Sequence, residues 1–199
     1  MARKKLSDEL KQAISMLPSK EKDKLLFRLL PKDAILVEQL EFKLLDHGQS
    51  TEELRAERKQ DVANYLQRAK YSFYSPGYLL LDLRSISAAI TKHVKVTKDK
   101  YGEIELNFFM LNECFELMAP QLKQFSYSKK RTFSDYVVKR SLKLLKLLSK
   151  LHEDYQLDFQ ESMRQLGFHL QNDPDCYKAA SVHELEVRWL LEAEIPEEF

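Results

Sequence analysis

The stretch PGYLLLDLRSISAAITKHVKVTKDKYGEIELNFFMLNECFELMAP, residues 76–120, decides the fold. Its apolar residues recur at intervals of four and three, which is the spacing of one face of an α-helix. One series is Leu79, Leu83, Ile86 and Ile90, and the next is Ile104, Phe108, Leu111, Phe115 and Met118. The pattern predicts two long helices, each of which buries one face.

The segment between these two helices has a second interpretation. Apolar residues alternate with polar ones around Asp99 and Gly102, as they do in a short β-hairpin. These residues are Val94, Val96, Ile104 and Leu106. A helix–loop–helix is the favoured interpretation, and at most a short hairpin is expected near Asp99.

Helical spacing continues outward on both sides, and capping residues and prolines divide it into segments. The candidate N-terminal caps are Ser7, Ser19, Asp33 and Ser75, and Gly48 suits the C-terminal cap of the third helix, which is expected to reach about Asp46. Further helices are expected over residues 51–74, 133–151, 154–170 and 181–193. Ser181 and Glu184 have the spacing of a capping box at the start of the last one.

These segments predict an all-α protein, a compact bundle of about eight or nine helices. The short helical pairs before Gly48 have the character of a helical repeat, although no segment recurs at a fixed period. Since no Gly/Ser linker interrupts the chain, residues 1–199 are expected to form a single helical domain.

Composition excludes several classes of protein. With only four glycines in 199 residues, the chain has neither a P-loop nor a dinucleotide-binding fingerprint. Cys114 and Cys176 lack the spacing of a redox or zinc motif, which favours free thiols in a reducing compartment. The basic start is followed by Ser7-Asp8-Glu9 rather than by an apolar stretch, and the longest uncharged run, residues 71–81, is too short to span a membrane. A cytoplasmic protein is expected.

Four carboxylates form the first candidate site. Glu38 and Glu41 are three residues apart, and Glu57 and Asp61 are four apart, so each pair shares one face of a helix. If the two helices form an antiparallel hairpin that turns near Gln49, the four carboxylates converge. Such a cluster would bind Mg²⁺, which in turn could hold a polyphosphate and polarise an attacking water.

This arrangement resembles the all-α nucleoside triphosphate pyrophosphatases, the dimeric dUTPase and MazG-type enzymes, whose pattern is ExxE followed by ExxD. The first half matches at Glu38-Gln39-Leu40-Glu41, whereas Glu57 and Asp61 are separated by three residues instead of two. The stretches LPSKEKDKLLFRLLPKD, FYSPGYLLLDLRS and HVKVTKDKYGEIELN also resemble those of uncharacterised bacterial helical proteins, some of which carry a dUTP-nucleotidohydrolase label. The alternative, which we favour, is that the four acids are solvated surface residues interleaved with basic ones.

Charge segregation near the C-terminus marks the second candidate site. Residues 123–151 carry nine Lys and Arg against one acid, and residues 152–199 carry three Lys and Arg against twelve acids. At helical intervals in the basic segment lies a lysine stripe, Lys139, Lys143, Lys146 and Lys150. A stripe of this kind can bind phosphates, and Phe125, Tyr127, Phe133 and Tyr136 lie alongside as platforms for bases. The favoured interpretation is that the stripe faces the acids of residues 152–199, within the chain or across a dimer.

A group of aromatic residues surrounds Ser75-Pro76-Gly77: Tyr71, Phe73, Tyr74 and Tyr78. At a junction between two helices, such a group is expected to form a corner of the core. The alternative is that it lines a ligand cleft.

No catalytic motif is complete, so the leading hypothesis is a non-enzymatic helical interaction protein with a protein partner or with self-association. One alternative is a Mg²⁺-dependent pyrophosphatase that uses Glu38, Glu41, Glu57 and Asp61. The other is a nucleic-acid-binding protein that uses the lysine stripe. No cofactor is expected, and Mg²⁺ enters only under the enzymatic alternative.

Overall fold

The computed structural model describes residues 5–45 and 50–196. Within them it has no strand, so the all-α prediction is confirmed for this part of the chain. The helices are α1 (Asp8–Met16), α2 (Ser19–Leu29), a 3₁₀ turn (Leu30–Lys32), α3 (Ala34–Leu44), α4 (Thr51–Tyr71), α5 (Pro76–Thr97), α6 (Lys100–Leu122), α7 (Tyr127–Leu148), α8 (Glu153–Leu157), α9 (Gln160–Asn172), α10 (Pro174–Val182) and α11 (Val187–Leu191). These α-helices outnumber the expected eight or nine because α8 and α11 are single short turns.

The chain divides into two compact units, Met1–His47 and Gly48–Phe199, which we call the N-terminal unit and the bundle. The N-terminal unit contains α1 to α3, and the bundle contains α4 to α11. The sequence has no Gly- or Ser-rich linker at this division. Gly48, the predicted C-terminal cap of α3, lies outside the described residues.

Three of the predicted N-terminal caps form. In each, the side chain of the cap accepts a hydrogen bond from the backbone amide three residues later: Ser7 from Leu10, Asp33 from Leu36, and Ser75 from Tyr78. The predicted helix–loop–helix also forms, since α5 ends at Thr97 and α6 begins at Lys100. These local signals therefore position most of the helix starts, as single capping residues commonly do.

The predicted capping box of Ser181 and Glu184 is wrong. Ser181 lies in the last turn of α10, and Glu184 follows that helix with a φ of 59°. Helix α10 begins earlier, because Asp173 accepts hydrogen bonds from the amides of Asp175 and Cys176 and is followed by a proline in the first helical position. The stronger cap therefore determines the start.

Other predicted boundaries shift as well. The helix expected from residue 133 begins at Tyr127, the one expected over 154–170 divides into α8 and α9, and Ser19 is the first residue of α2 rather than its cap. Pro120 does not end α6 but lies inside its last turn. Because α6 is packed on several sides, tertiary contacts offset the hydrogen bond that the proline removes.

Helix α6 is the central element of the bundle. It packs against α4, α5, α7 and α9, while α10 packs on α7 and α9, and α11 packs on α9. Aromatic contacts join these layers: the rings of Phe108 and Phe159 are 6.1 Å apart, as are those of Phe115 and Phe133. The prediction that each of the two long helices buries one face is wrong for α6. Leu106, Met110 and Cys114 lie outside the predicted series and are buried as well, because α6 has neighbours on several sides.

The N-terminal unit has a different character. None of its described residues is buried. Lys22 of α2 donates a hydrogen bond to the carbonyl of Ser15 at the end of α1, with a distance of 2.7 Å. Large apolar side chains on all three helices are exposed, among them Leu10, Phe27 and Leu44. A unit of this size without a buried core leaves its apolar faces uncovered.

Length alone would allow some of these helices to span a bilayer. Helix α5 has 22 residues and α6 has 23, against the roughly 20 that a membrane span needs. Both carry several charged residues, and none of the described helices is apolar enough to cross a membrane.

Candidate functional site

The four carboxylates of the predicted metal site belong to different units. Glu38 is half-buried and Glu41 is exposed on α3, while Glu57 and Asp61 are exposed on α4. Asp61 forms an ion pair with Arg58 at 2.9 Å. Taken unit by unit, residues 5–45 and 50–196 contain no group of three or more His, Cys, Asp or Glu side chains that could hold a metal ion. Convergence of the two pairs stays a prediction.

The lysine stripe on α7 is exposed along its whole length. Lys143 donates to Glu103 of α6, with a distance of 2.7 Å between the nitrogen and the carboxylate oxygen. Within the chain, Lys143 therefore pairs with an acid of α6 and not with one of residues 152–199, because α6 packs beside α7. A contact of the stripe with these acids across a dimer stays a prediction. That Lys139, Lys146 and Lys150 contact a partner stays a prediction.

Two of the four aromatic residues expected beside the stripe have structural roles. Phe133 is buried in the core, and the hydroxyl of Tyr136 forms a hydrogen bond with that of Ser87 at 2.6 Å. Neither can serve as a platform for a base. Phe125 and Tyr127 are half-buried at the start of α7.

The acidic C-terminal segment does meet a basic residue of 123–151, but that residue is Lys130. Its ammonium group is buried and lies 3.2 Å from Asp173 and 2.5 Å from Asp175. Burial alone would lower the pKa of Lys130, but the two carboxylates raise it above its ordinary value, so the ammonium stays charged. This ion-pair cluster links α7 to α10.

Both cysteines are buried free thiols. Burial raises the pKa of Cys114 to about 12, and burial likewise raises the pKa of Cys176. A thiol of raised pKa is a poor nucleophile at neutral pH, because the thiolate is the reactive form.

Charged groups also meet where α5 passes into α6, in a region we call the Asp99 end: Arg55, His93, Asp99 and Glu105. Asp99 caps α6, accepting a hydrogen bond from the amide of Gly102 at 2.8 Å. Arg55 donates to both carboxylate oxygens of Asp99, at 2.7 and 3.2 Å, and lies 3.5 Å from Glu105. The guanidinium also stacks 4.7 Å over the ring of Tyr101. Each charge here has an internal partner.

The pKa of Asp99 reflects these contacts. Burial would raise it, but the imidazole of His93, the guanidinium of Arg55 and the amide of Gly102 lower it to about 2. The His93 nitrogen lies 3.9 Å away, beyond hydrogen-bond range, so Arg55 and Gly102 supply the direct hydrogen bonds. Asp99 is therefore an ionised structural group and not a proton donor near neutral pH.

The aromatic residues around Ser75-Pro76-Gly77 do not form the predicted corner of the core. Tyr71 is 87% exposed, Tyr74 is 74% exposed and Tyr78 is 61% exposed. Only Phe73 packs inward, with its ring 6.0 Å from that of Phe125. The rings of Tyr74 and Tyr78 contact each other edge to face at 5.3 Å. The other three thus form a surface, not a core.

Cations occur on the two segments that Phe73 and Phe125 bring together. Lys70 precedes Tyr71, and Lys123 and Lys129 are exposed near Phe125, with the Lys129 ammonium 6.0 Å from that ring. No acid occurs between Asp61 and Asp82 or between Glu116 and Asp135. We call this region the aromatic end: Tyr71, Tyr74, Tyr78, Phe125, Lys70, Lys123 and Lys129.

The N-terminal unit contains an apolar groove of about 360 Å³. Helix α2, the 3₁₀ turn and α3 supply its lining: Phe27, Leu30, Pro31, Val37, Leu40, Glu41, Leu44 and Leu45. Glu41, which the sequence suggested as a metal ligand, is the single charged residue among them. Helix α1 contributes nothing to the lining.

Sequence reasoning missed the Asp99 end, the pairing of Lys130 and the exposure of the three tyrosines. The signal at Asp99 was present, because Asp is a strong N-terminal cap and α6 starts directly after it. Its partner Arg55 lies 44 residues away, which no local pattern can indicate. The tyrosines lie at a helix junction, where helical spacing no longer indicates which side chains point inward.

Comparisons with known proteins give no relative: no protein family, curated protein or solved structure matches the chain. The resemblance to all-α pyrophosphatases and to uncharacterised bacterial helical proteins stays a prediction.

Proposed function

We propose that the protein is a non-enzymatic helical interaction protein, and that its N-terminal unit self-associates by placing α1 of one copy in the apolar groove of another. The observation that carries the proposal is the groove itself. Seven of its eight lining residues are apolar, and it lies in a unit that buries none of its described residues. Grooves of this composition bind the apolar face of an amphipathic helix.

The N-terminal unit also contains a helix that fits the groove. Leu6, Leu10 and Ile14 follow one another at intervals of four, and all three are exposed at α1. Within the N-terminal unit, α1 makes no extended packing contact with another helix. The chain therefore carries both an uncovered apolar groove and an uncovered amphipathic helix, and a reciprocal exchange between two copies would cover both.

The groove and α1 also carry opposite charges. Glu41 lies in the groove lining, and Lys11 lies one residue after Leu10 on α1. Lys11 forms only an exposed ion pair with Asp8, which can be exchanged at little cost. Burial of each large apolar side chain would contribute about 1.5–3 kcal/mol.

Two variants test the proposal by sedimentation velocity over a range of protein concentrations. Leu10→Asp places a charge on the apolar face of α1, and Phe27→Asp places a charge in the lining of the groove. Each is expected to weaken dimerisation by about a hundredfold. A matched control is Leu157→Asp, which changes a leucine of the bundle whose exposure lies between those of Leu10 and Phe27, and which should leave dimerisation unchanged.

Mixing the two variants gives the decisive measurement. The Phe27→Asp copy retains an intact helix and the Leu10→Asp copy retains an intact groove, so the mixture should form a heterodimer through one of the two contacts. A wild-type chain that stays monomeric, or a mixture that associates no better than either variant alone, would contradict the proposal.

A further inference from the structure

We infer that the aromatic end of the bundle is a binding site for single-stranded nucleic acid. Nothing in the proposed self-association uses this region. Three observations carry the inference: the exposure of its tyrosines, its excess of cations, and the absence of acids from the two segments that build it.

The tyrosines provide stacking platforms. Tyr71, Tyr74 and Tyr78 lie within eight residues of chain and expose between 61% and 87% of their surface. Tyr71 and Tyr74 are three residues apart, which is at most about 11 Å of chain, and the rings of Tyr74 and Tyr78 are 5.3 Å apart. Neighbouring tyrosines are therefore within reach of successive nucleotides of one strand. Every base has a flat face, and base–aromatic stacking therefore binds single strands without requiring a particular sequence.

The backbone that carries these tyrosines is held in place by a ring contact and a helix cap. Between Tyr71 and Tyr74 in the chain, Phe73 contacts Phe125, and this contact joins the α4–α5 junction to the α6–α7 loop. Ser75 caps α5 with Pro76 in the first helical position, so the backbone between Tyr74 and Tyr78 is held by a defined cap. Exposed side chains on a rigid backbone lose less conformational entropy on binding than those on a loose loop.

The charge of this end suits phosphates. Lys70, Lys123 and Lys129 are exposed, and the Lys129 ammonium lies 6.0 Å from the ring of Phe125. Asp173 and Asp175 pair with buried Lys130, which follows Lys129 in the chain. Asp82, one turn after Tyr78 on α5, accepts a hydrogen bond from the Tyr65 hydroxyl at 3.3 Å. A polyanion would therefore meet several cations on two segments, residues 62–81 and 117–134, that carry no acid of their own.

The aromatic platforms distinguish a single strand from a duplex. In a duplex the base faces are already stacked on one another, so exposed tyrosines gain little from binding it. A protein partner could also bury the tyrosines, but only a nucleic-acid strand carries an anion and a flat base in every repeating unit, which matches tyrosines and lysines placed side by side. Single-stranded nucleic acid satisfies both features.

Fluorescence anisotropy with a labelled oligothymidylate of about 15 nucleotides tests the inference, with the oligouridylate of the same length as the RNA probe. The triple variant Tyr71→Ala/Tyr74→Ala/Tyr78→Ala should weaken binding by at least about thirtyfold, and Tyr74→Ala alone by about tenfold. Tyr155→Ala is the matched control, because Tyr155 is exposed to a similar extent but lies beside Tyr101 at the other end of α5.

A second pair of variants tests the charge. Lys70→Glu/Lys123→Glu should weaken binding and reduce the slope of log affinity against log salt by about two. Its control is Lys139→Glu/Lys150→Glu, which makes the same charge change on the lysine stripe. Lys139 lies about 18 Å along α7 from Tyr127, beyond the reach of screened charge at physiological salt.

Circular dichroism melts of each variant check that the bundle is intact. The inference is overturned if the wild-type chain fails to bind either single strand at low salt, or if it binds a duplex as tightly. It is equally overturned if the tyrosine variants retain full affinity, or if the stripe variant loses as much affinity as the Lys70→Glu/Lys123→Glu variant, which would place the phosphates on α7.

Discussion

Helix α5 has opposite surroundings at its two ends, about 33 Å apart by its length. At the Asp99 end, each charge lies against a partner in the same chain: Arg55 on Asp99, and Lys59 on Glu105 at 2.8 Å. At the aromatic end, three tyrosines and their neighbouring lysines face outward. Charges paired inside the chain stabilise the fold, whereas aromatic and cationic groups without such partners are available for binding. Mutations at the two ends should therefore have separable effects.

Asp99→Asn is expected to have the largest effect on stability. It leaves the half-buried Arg55 guanidinium without its ionised partner and weakens the cap of α6, and together these losses should lower the free energy of unfolding by about 3 kcal/mol. Urea denaturation measures the change. Asp61→Asn is the matched control, because Asp61 is exposed and its pair with Arg58 is worth at most about 1 kcal/mol. Equal losses in the two variants would contradict an internal role for the Asp99 end.

Protonation of Asp99 at low pH should gradually remove the stabilisation that its ionised carboxylate provides. The pKa of Asp99 is about 2 in the folded chain, below its ordinary value of 3.8. A carboxyl whose pKa is lowered by folding stabilises the fold fully above its ordinary pKa, and that stabilisation is lost as the pH falls through the lower value. The free-energy difference between wild type and Asp99→Asn should therefore shrink by about 2 kcal/mol between about pH 5 and about pH 2. A difference that is constant over this range would show that ionisation of Asp99 does not stabilise the fold.

Gly102→Ala should destabilise the same end by about 1 kcal/mol. A Cβ at this position would overlap the carboxylate of Asp99 and approach the Nε of Arg55 to 2.9 Å. The clash outweighs the usual gain in helix propensity from Gly to Ala, because Asp99 is fixed by its hydrogen bonds. Gly77→Ala is the control: its Cβ would meet only the Ser75 hydroxyl at 3.8 Å, and it should be neutral or stabilising in the same denaturation assay.

The smallest effect on stability is expected at the aromatic end. Tyr74→Ser removes a side chain that is 74% exposed and should change the free energy of unfolding by about 0.5 kcal/mol or less. The same variant should weaken binding of the oligothymidylate probe. A large loss of stability would mean that Tyr74 holds the fold, and the contrast between the two ends would then fail.

Helices were predictable where their signals are local. The spacing of residues 79–90 and 104–118, together with the caps at Ser7, Asp33 and Ser75, is visible in a few consecutive residues. Errors arose where two local signals compete. Asp173 caps α10 and Pro174 begins it, so Ser181 lies at the end of that helix and not at the start of another. Pro120 lies inside α6, because the packing of α6 offsets the hydrogen bond that the proline removes.

The candidate sites were less predictable because they depend on which helices become neighbours. The sequence shows that residues 123–151 are basic, but it does not show which acids they contact. In the structure, Lys143 pairs with Glu103 of α6, and Lys130 pairs with Asp173 and Asp175. These partners lie 40 and 43 residues apart, and helical spacing within one segment says nothing about them.

The sequence by itself determined the all-α class, the absence of a glycine-rich phosphate loop, and the buried face of α5, because helical periodicity, glycine content and caps are properties of short segments. Tertiary structure alone decided that Asp99 is internally neutralised while the tyrosines around Pro76 are exposed. The physical reason is that burial and charge pairing depend on the groups that another helix brings alongside, and that choice is made by packing of the whole bundle.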